Sequence, residues 1–195
     1  MKKGIMGGTF DPIHLGHLVT AEEVRDYFQL DEVVFVPSAR PPHKVGQTIT
    51  NPEHRYLMVV LATITNPYFR VSRVELERVG PSYAVDTLRY FREFWGNESE
   101  IYFITGADAF AQISSWNNPD ELFRLCTFVA ATRPGYKMVS MEEKYRHKVK
   151  MIEVSALAIA SSEIRRRVKR GESIKYLVPE AVENYIRKNG LYIND

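Results

Sequence analysis

The sequence predicts an α/β fold: a doubly wound, mainly parallel sheet with helices on both faces and a helical C-terminal segment. Three observations predict it. Short β-type apolar runs alternate with stretches of helical periodicity along the chain. The first such run, Gly4-Ile5-Met6, passes through Gly7-Gly8 into a helix start, the strand–turn–helix order of an open α/β sheet. The length, 195 residues, suits one domain with a full-sized core.

The candidate strands are Lys3–Met6, Val33–Val36, Phe69–Val71, Ile101–Thr105, Thr127–Ala131 and Met151–Val154, short apolar runs bounded by polar or turn residues. Helical stretches fall near Leu15–Phe28, Pro52–Thr65, Ala84–Phe94 and Ser140–His147. Asn51 before Pro52 reads as an N-cap with proline at the first helical position. Ser82 is a candidate cap for the helix that carries Val85, Leu88 and Phe91. Two further helices, Ser162–Lys169 and Pro179–Lys188, close the chain. In the last, Ala181, Val182, Tyr185 and Ile186 make one apolar stripe and Gly190 supplies the stop. The longest irregular segment, Pro37–Thr50, contains Pro37, Pro41, Pro42 and Gly46. No repeat or low-complexity linker interrupts the pattern. Residues 1–195 therefore read as a single Rossmann-like domain, with the C-terminal helices (about 161–195) packed on it.

Composition excludes several classes. Hydrophobic residues make up 45% and charged residues 26%, ordinary for a globular protein. The formal charge of +2, from 26 basic and 24 acidic residues, is too small for bulk attraction to nucleic acid. A lone cysteine, Cys126, excludes an intrachain disulfide and fits a reducing compartment. Met1-Lys2-Lys3 reaches Gly7-Gly8 and Asp11 before a signal-type apolar core can form, and the longest apolar stretch, Leu57 to Ile64, is too short to span a bilayer. A cytoplasmic protein with no membrane or nucleic-acid partner is expected.

The most informative segment is Gly7-Gly8-Thr9-Phe10-Asp11-Pro12-Ile13-His14-Leu15-Gly16-His17. Gly7 and Gly8 let the backbone come close to a bulky anion and take positive φ where needed. The first turn of the helix that follows offers N–H groups and a positive dipole end. His14 and His17, three residues apart, face the same way on that turn, with no side chain at Gly16 between them. The same spacing suits zinc, but no cysteine lies nearby and Asp11 is the one local third ligand. A polyphosphate fits better. Gly106-Ala107-Asp108 and the start of the proline loop fall at the same sheet edge.

The run lacks both common phosphate-loop patterns. It resembles the histidine motif of the nucleotidyltransferase superfamily. Ile159-Ala160-Ser161-Ser162-Glu163-Ile164-Arg165 resembles that superfamily's second signature. Within it the chain is most similar to the bacterial nicotinate-nucleotide adenylyltransferase family, over nearly its whole length. The similarity includes Pro37-Ser38-Ala39-Arg40-Pro41-Pro42-His43-Lys44, Ser82-Tyr83-Ala84-Val85-Asp86-Thr87-Leu88, Gly106-Ala107-Asp108, Trp116 and Arg133-Pro134-Gly135, and it continues from Tyr176-Leu177-Val178-Pro179 to Leu191-Tyr192. Two positions depart. Ala160 stands where the family usually has a serine, and Ala84 where threonine is common.

The resemblance implies transfer of the adenylyl group of ATP to nicotinate mononucleotide, releasing pyrophosphate, with Mg2+ held mainly through the ATP phosphates. The attacking group is a phosphate oxygen already ionised at neutral pH, so donors and cations are needed rather than a protein base. His17 is expected at the α-phosphate, with His14 and Lys44 on the neighbouring phosphates, and Ser161, Ser162 and Arg165 at the start of the later helix gripping the distal ones. Gly7, Gly8, Thr9, Phe10 and Gly106 complete the ATP side. Asp108 reads as a partner for ribose or metal-bound water, or equally as a helix cap. On the acceptor side the expectation falls on Ser82, Tyr83, Ala84, Trp116, Asn117 and Arg133. Trp116 would stack on a flat pyridine ring, or else anchor its loop. No residue is expected to ligate metal as part of a protein cage. Arg166, Arg167, Lys169 and Arg170 read as a solvated face, and His43, His54 and His147 are too scattered for a metal site. The competing functions are the same chemistry on another acceptor (nicotinamide mononucleotide or phosphopantetheine) and a nucleotide- or nucleic-acid-binding module without turnover.

Overall fold

The computed structural model describes residues 1–44, 46–132, 143–155 and 158–193. Six strands form one sheet in the order β3-β2-β1-β4-β5-β6. They are β1 (Lys2–Gly8), β2 (Glu32–Pro37), β3 (Phe69–Val71), β4 (Glu100–Gly106), β5 (Thr127–Thr132) and β6 (Val149–Glu153). Every pairing is parallel. Strand order reverses between β1 and β4, so a crevice opens beyond their carboxyl ends. All six expected strands are present, with ends shifted by up to two residues.

The strands are buried on both faces, which is why β2 reads as the continuous apolar run Val33–Val36. Period-two alternation divides their side chains. Met6, Val33, Phe35, Ile104 and Val129 point to one layer. Ile5, Val34, Val36, Phe103 and Phe128 point to the other. The first layer is covered by α1 (Leu15–Phe28) and α2 (Pro52–Thr63), through Ala21, Val24, Met58 and Val59. The short α3 (Val74–Glu77) follows β3, and α4 (Ala84–Trp95) covers the second layer with Val85, Leu88 and Phe91. Beyond β4 lie α5 (Ala107–Phe110) and α6 (Pro119–Leu125), and α7 (Glu143–Arg146) precedes β6. The last two, α8 (Ser161–Lys169) and α9 (Glu180–Lys188), return to the first layer, where Ile164, Val182, Ile186 and Tyr192 join its core. Full burial of an aliphatic or aromatic side chain of this kind contributes roughly 1.5–3 kcal/mol. Among the described residues no helix is long and apolar enough to cross a membrane.

Local signals hold in part. Asn51 caps α2, its Oδ1 accepting from Glu53 N–H at 2.9 Å, with Pro52 at the helix start. Gly190 stands just beyond α9 at φ 59°, as its position predicts. The stripe of α9 is narrower than expected: Val182 and Ile186 are buried, but Ala181 faces solvent. Glu183 is buried instead, held by Arg187 at 2.7 Å. Ser82 is not the cap of α4; that position is Tyr83. The expected helix Ser140–His147 is present as Glu143–Arg146, and residues 140–142 lie outside those described. Short α3, α5 and α6 carry too few turns to show periodicity and were not expected.

Candidate active site

The crevice is built by strand ends. Gly7 and Gly8 are the last residues of β1 rather than a turn, and Gly8 pairs in register with Pro37. Their value is space, not positive φ. A Cβ on Gly8 would meet the Phe10 ring at 2.9 Å, and one on Gly7 the Phe103 ring at 3.2 Å. The left-handed residue is Phe10, at φ 48°, buried edge-on against His17 with ring centroids 5.1 Å apart. It reverses the chain from strand to helix and fixes one flank of the imidazole.

His14 is the N-cap residue of α1, and His17 stands one turn on. Their rings stack with centroids 3.7 Å apart. The backbone N–H of His14 donates to Nδ1 of His17 at 3.3 Å. That assigns the acceptor nitrogen, so neutral His17 carries its proton on Nε2. Burial pushes His14 down to about 4. Burial, with His14 beside it, holds His17 well below the usual imidazole range. Nδ1 of His14 is buried without a hydrogen-bond partner. Both rings are therefore neutral and poised as donors.

The second signature meets the first here. Ser161, the first residue of α8, donates its hydroxyl to Pro12 O at 2.9 Å, and Arg165 Nη1 donates to Asp11 O at 2.7 Å. The Ser161 proton thus ties α8 to the turn, while exposed Ser162 stays at the helix start. Lys44 ends a single 3₁₀ turn, Pro42–Lys44. Half-burial and then Arg165 lower its pKa, with Asp11 acting the other way. Asp11 closes the corner: Oδ1 accepts from Tyr192 Oη at 2.8 Å and Oδ2 from Thr50 N–H at 3.3 Å.

Beside this corner a cavity of about 700 Å³ is lined by Gly7, Gly8, Thr9, Ser38, Pro41, Pro42, His43, Lys44, Glu75, Ser82, Tyr83, Ala84, Phe103, Thr105, Ala109, Ser115, Trp116, Asn117 and Asn118. Most of the expected acceptor residues meet here. Ser82 is locked to the proline loop in both directions, its Oγ accepting from Arg40 N–H at 3.1 Å and its N–H donating to Arg40 O at 3.0 Å. Trp116 both anchors and lines: its indole packs edge-on to Phe103 and Phe128, at 6.1 and 6.3 Å, with part of the ring left in the cavity. Asp108 lies exposed in the first turn of α5, whose cap position is Gly106 rather than Asp108. Arg133 lies outside the described residues. The basic run behaves as a solvated face, with Arg166 and Arg167 paired to Glu163 at 2.6 and 3.0 Å.

Comparison with known proteins now bears on the site. The profile of the "Cytidylyltransferase-like" family matches residues 5–167. A protein of Moorella thermoacetica named "Probable nicotinate-nucleotide adenylyltransferase" is 57% identical over 97% of this chain and 90% of its own length. One of the same name from Thermoanaerobacter sp. is 52% identical over 100% of this chain and 96% of its own. The chain belongs to the nicotinate-nucleotide adenylyltransferase family. The fold has a solved counterpart in the Plasmodium falciparum nicotinic acid mononucleotide adenylyltransferase complexed with NaAD. That structure has a TM-score of 0.79 at 23% identity and covers 98% of this chain and 97% of the other.

Against this family background, sequence reasoning missed several residues. Glu75 is buried at the back of the cavity, where its Oε1 accepts from the Thr87 hydroxyl at 2.6 Å. Burial pushes its pKa up, opposed by hydrogen bonds from Thr87, Ser82 and Ser38 and by Arg78. Phe103 and Thr105 reach the cavity from β4, and Tyr192 reaches Asp11 from beyond α9. A signal existed for Thr105, which stands at the carboxyl end of a central strand, whereas Phe103 lies mid-strand. Tyr192 stood only within the closing Leu191-Tyr192 resemblance; its contact with Asp11, across 181 residues, has no local signal.

Proposed function

We propose that this nucleotidyltransferase moves the adenylyl group of ATP onto nicotinate mononucleotide, giving nicotinate adenine dinucleotide (deamido-NAD) and pyrophosphate in NAD biosynthesis. Residues 1–195 act as one catalytic domain in the cytoplasm. The observation that carries the reading is the docking of α8 on the turn before His14, which joins the stacked imidazoles, Lys44 and Arg165 at one corner of a cavity walled by Trp116 and Ser82–Ala84.

The acceptor phosphate needs no activation, so the residues align two anions and take up charge. His17 donates from Nε2 to the α-phosphate oxygen as its charge grows. His14 and Lys44 hold the adjoining phosphates, and Arg165, Ser162 and the N–H groups opening α8 hold the outer ones. Gly7 and Gly8 keep the strand end clear, and Thr9 and Phe10 shape the turn beneath. Gly106, which ends β4, and Asp108, just beyond it in α5, face the nucleoside. Trp116 offers its ring to the pyridine. Asn117 and the backbone around Ser82, Tyr83 and Ala84 address the rest of the acceptor, a part that Arg133 shares. Backbone N–H groups supply what Ala84 lacks as a side chain.

Among the described residues no three of His, Cys, Asp and Glu converge as a metal-binding group. Mg2+, when bound, would be carried mainly by the ATP phosphate oxygens and water and would neutralise charge on the leaving pyrophosphate. Pyrophosphate release from ATP, followed with nicotinate mononucleotide, nicotinamide mononucleotide and phosphopantetheine in turn, tests the proposal. The acidic mononucleotide is expected to give the highest kcat/KM. Equal or better turnover with another acceptor overturns the acceptor assignment.

A further inference from the structure

Arg55, in α2, is wholly buried, yet among the described residues no carboxylate is hydrogen-bonded to its guanidinium. Its donors go to three backbone carbonyls: Nε to Thr50 O at 2.8 Å, Nη1 to Thr9 O at 2.6 Å and Nη2 to Ala39 O at 3.4 Å. These carbonyls are not neighbours in sequence. Ala39 and Thr50 stand at the two ends of the proline loop, and Thr9 opens the turn that leads to His14. Asp11 draws the same end inward through Thr50 N–H. One planar fork therefore ties both hinges of the loop to the phosphate-binding turn, a geometry that a point-like ammonium does not reproduce.

We propose that Arg55 is a positioning residue that fixes the reach of Lys44, by holding both ends of its loop at a set distance from the turn that receives the triphosphate. A buried arginine placed only for stability would be indifferent to whether Lys44 is present. This inference rests on the reading of Lys44 as a phosphate-holding group, and the test separates the two.

Wild type, K44A, R55K and the double variant are compared by steady-state kinetics, with KM for ATP and for the acceptor measured separately. R55K is expected to raise KM for ATP about tenfold, with the acceptor KM within about twofold. In the K44A background the same change should add less than about twofold, the non-additivity of residues acting as one unit. An equal loss in both backgrounds overturns the inference while leaving Lys44 in place. Wild-type kinetics in K44A overturn both the role of Lys44 and this inference. R55Q, which keeps two donors without the charge, is run in parallel. If neither R55K nor R55Q folds by circular dichroism, Arg55 serves stability alone and the proposal fails.

Discussion

His14 and His17 owe their chemistry to their surroundings. Enclosed against each other and against Phe10, they lose water, and with it the stabilisation of a positive charge. The consequence for stability has a definite sign. The folded pKa of His14, about 4, lies below the ordinary 6.5, so as pH falls the unfolded chain takes up protons first. Stability should be undiminished above about pH 6.5 and decline from there to about pH 4, by about 3 kcal/mol for His14 alone. Urea titrations across that range would show it; a flat profile would remove the buried neutral imidazole. Bound triphosphate should shift His14 back toward the charged ring, since a nearby anion favours it. ATP binding near pH 6 should then be accompanied by proton uptake, seen as a dependence of calorimetric heat on the buffer's ionisation enthalpy. His17→Ala should lower kcat at least about a hundredfold, as expected for a donor that acts in the transition state. It also removes the acceptor for His14 N–H, which costs about 1 kcal/mol and a few degrees of Tm. An alanine variant with near wild-type turnover would exclude His17. At this scale the sequence was legible where chemistry alone decides and misleading where packing does. Arg165 reaches the turn before the histidines at Asp11 O, and Lys44 lies near enough to feel its charge. The two glycines, read as allowing close approach to an anion and positive φ where needed, take no positive φ and leave room for Phe10 and Phe103; Ser82, read as a cap, clasps Arg40.

The proline loop and α8 work as elements rather than as lists of side chains. Arg55 and Ser82 hold the ends of the loop, while Pro41, Pro42, His43 and Lys44 line the cavity. Amide exchange should be slow at Arg40 and Ser82 in the free protein. Between 42 and 50 exchange should slow only when ATP and Mg2+ are added; an identical pattern with and without nucleotide would rule out closure over ATP. The strands were readable because parallel strands buried on both faces announce themselves as apolar runs. Helices α1, α2, α4, α8 and α9 were readable in the sequence, α2 also from its Asn51-Pro52 cap. The four-residue α3 and α5 were not, because one turn shows no period, and α3 brings Glu75 to the cavity.

Across the whole molecule, the two ends of the folded unit meet at the site. Tyr192 is 3% exposed and its hydroxyl donates to Asp11, itself 4% exposed, while Leu15 N–H donates to Leu177 O at 3.0 Å. Tyr192→Phe leaves one buried carboxylate oxygen short of a donor and should cost about 1–3 kcal/mol. Thermal unfolding would show a lower Tm, and KM for ATP should rise with it, because Asp11 also holds Thr50. A change in Tm with unaltered ATP kinetics would separate the C-terminal contact from the phosphate corner. The same contact orders events during synthesis. The hydroxyl that partners Asp11 is joined 181 residues after it, long after the imidazoles. Nascent chains arrested before Tyr192 should accordingly bind nucleotide poorly even where their sheet is complete, and competence should appear late and abruptly.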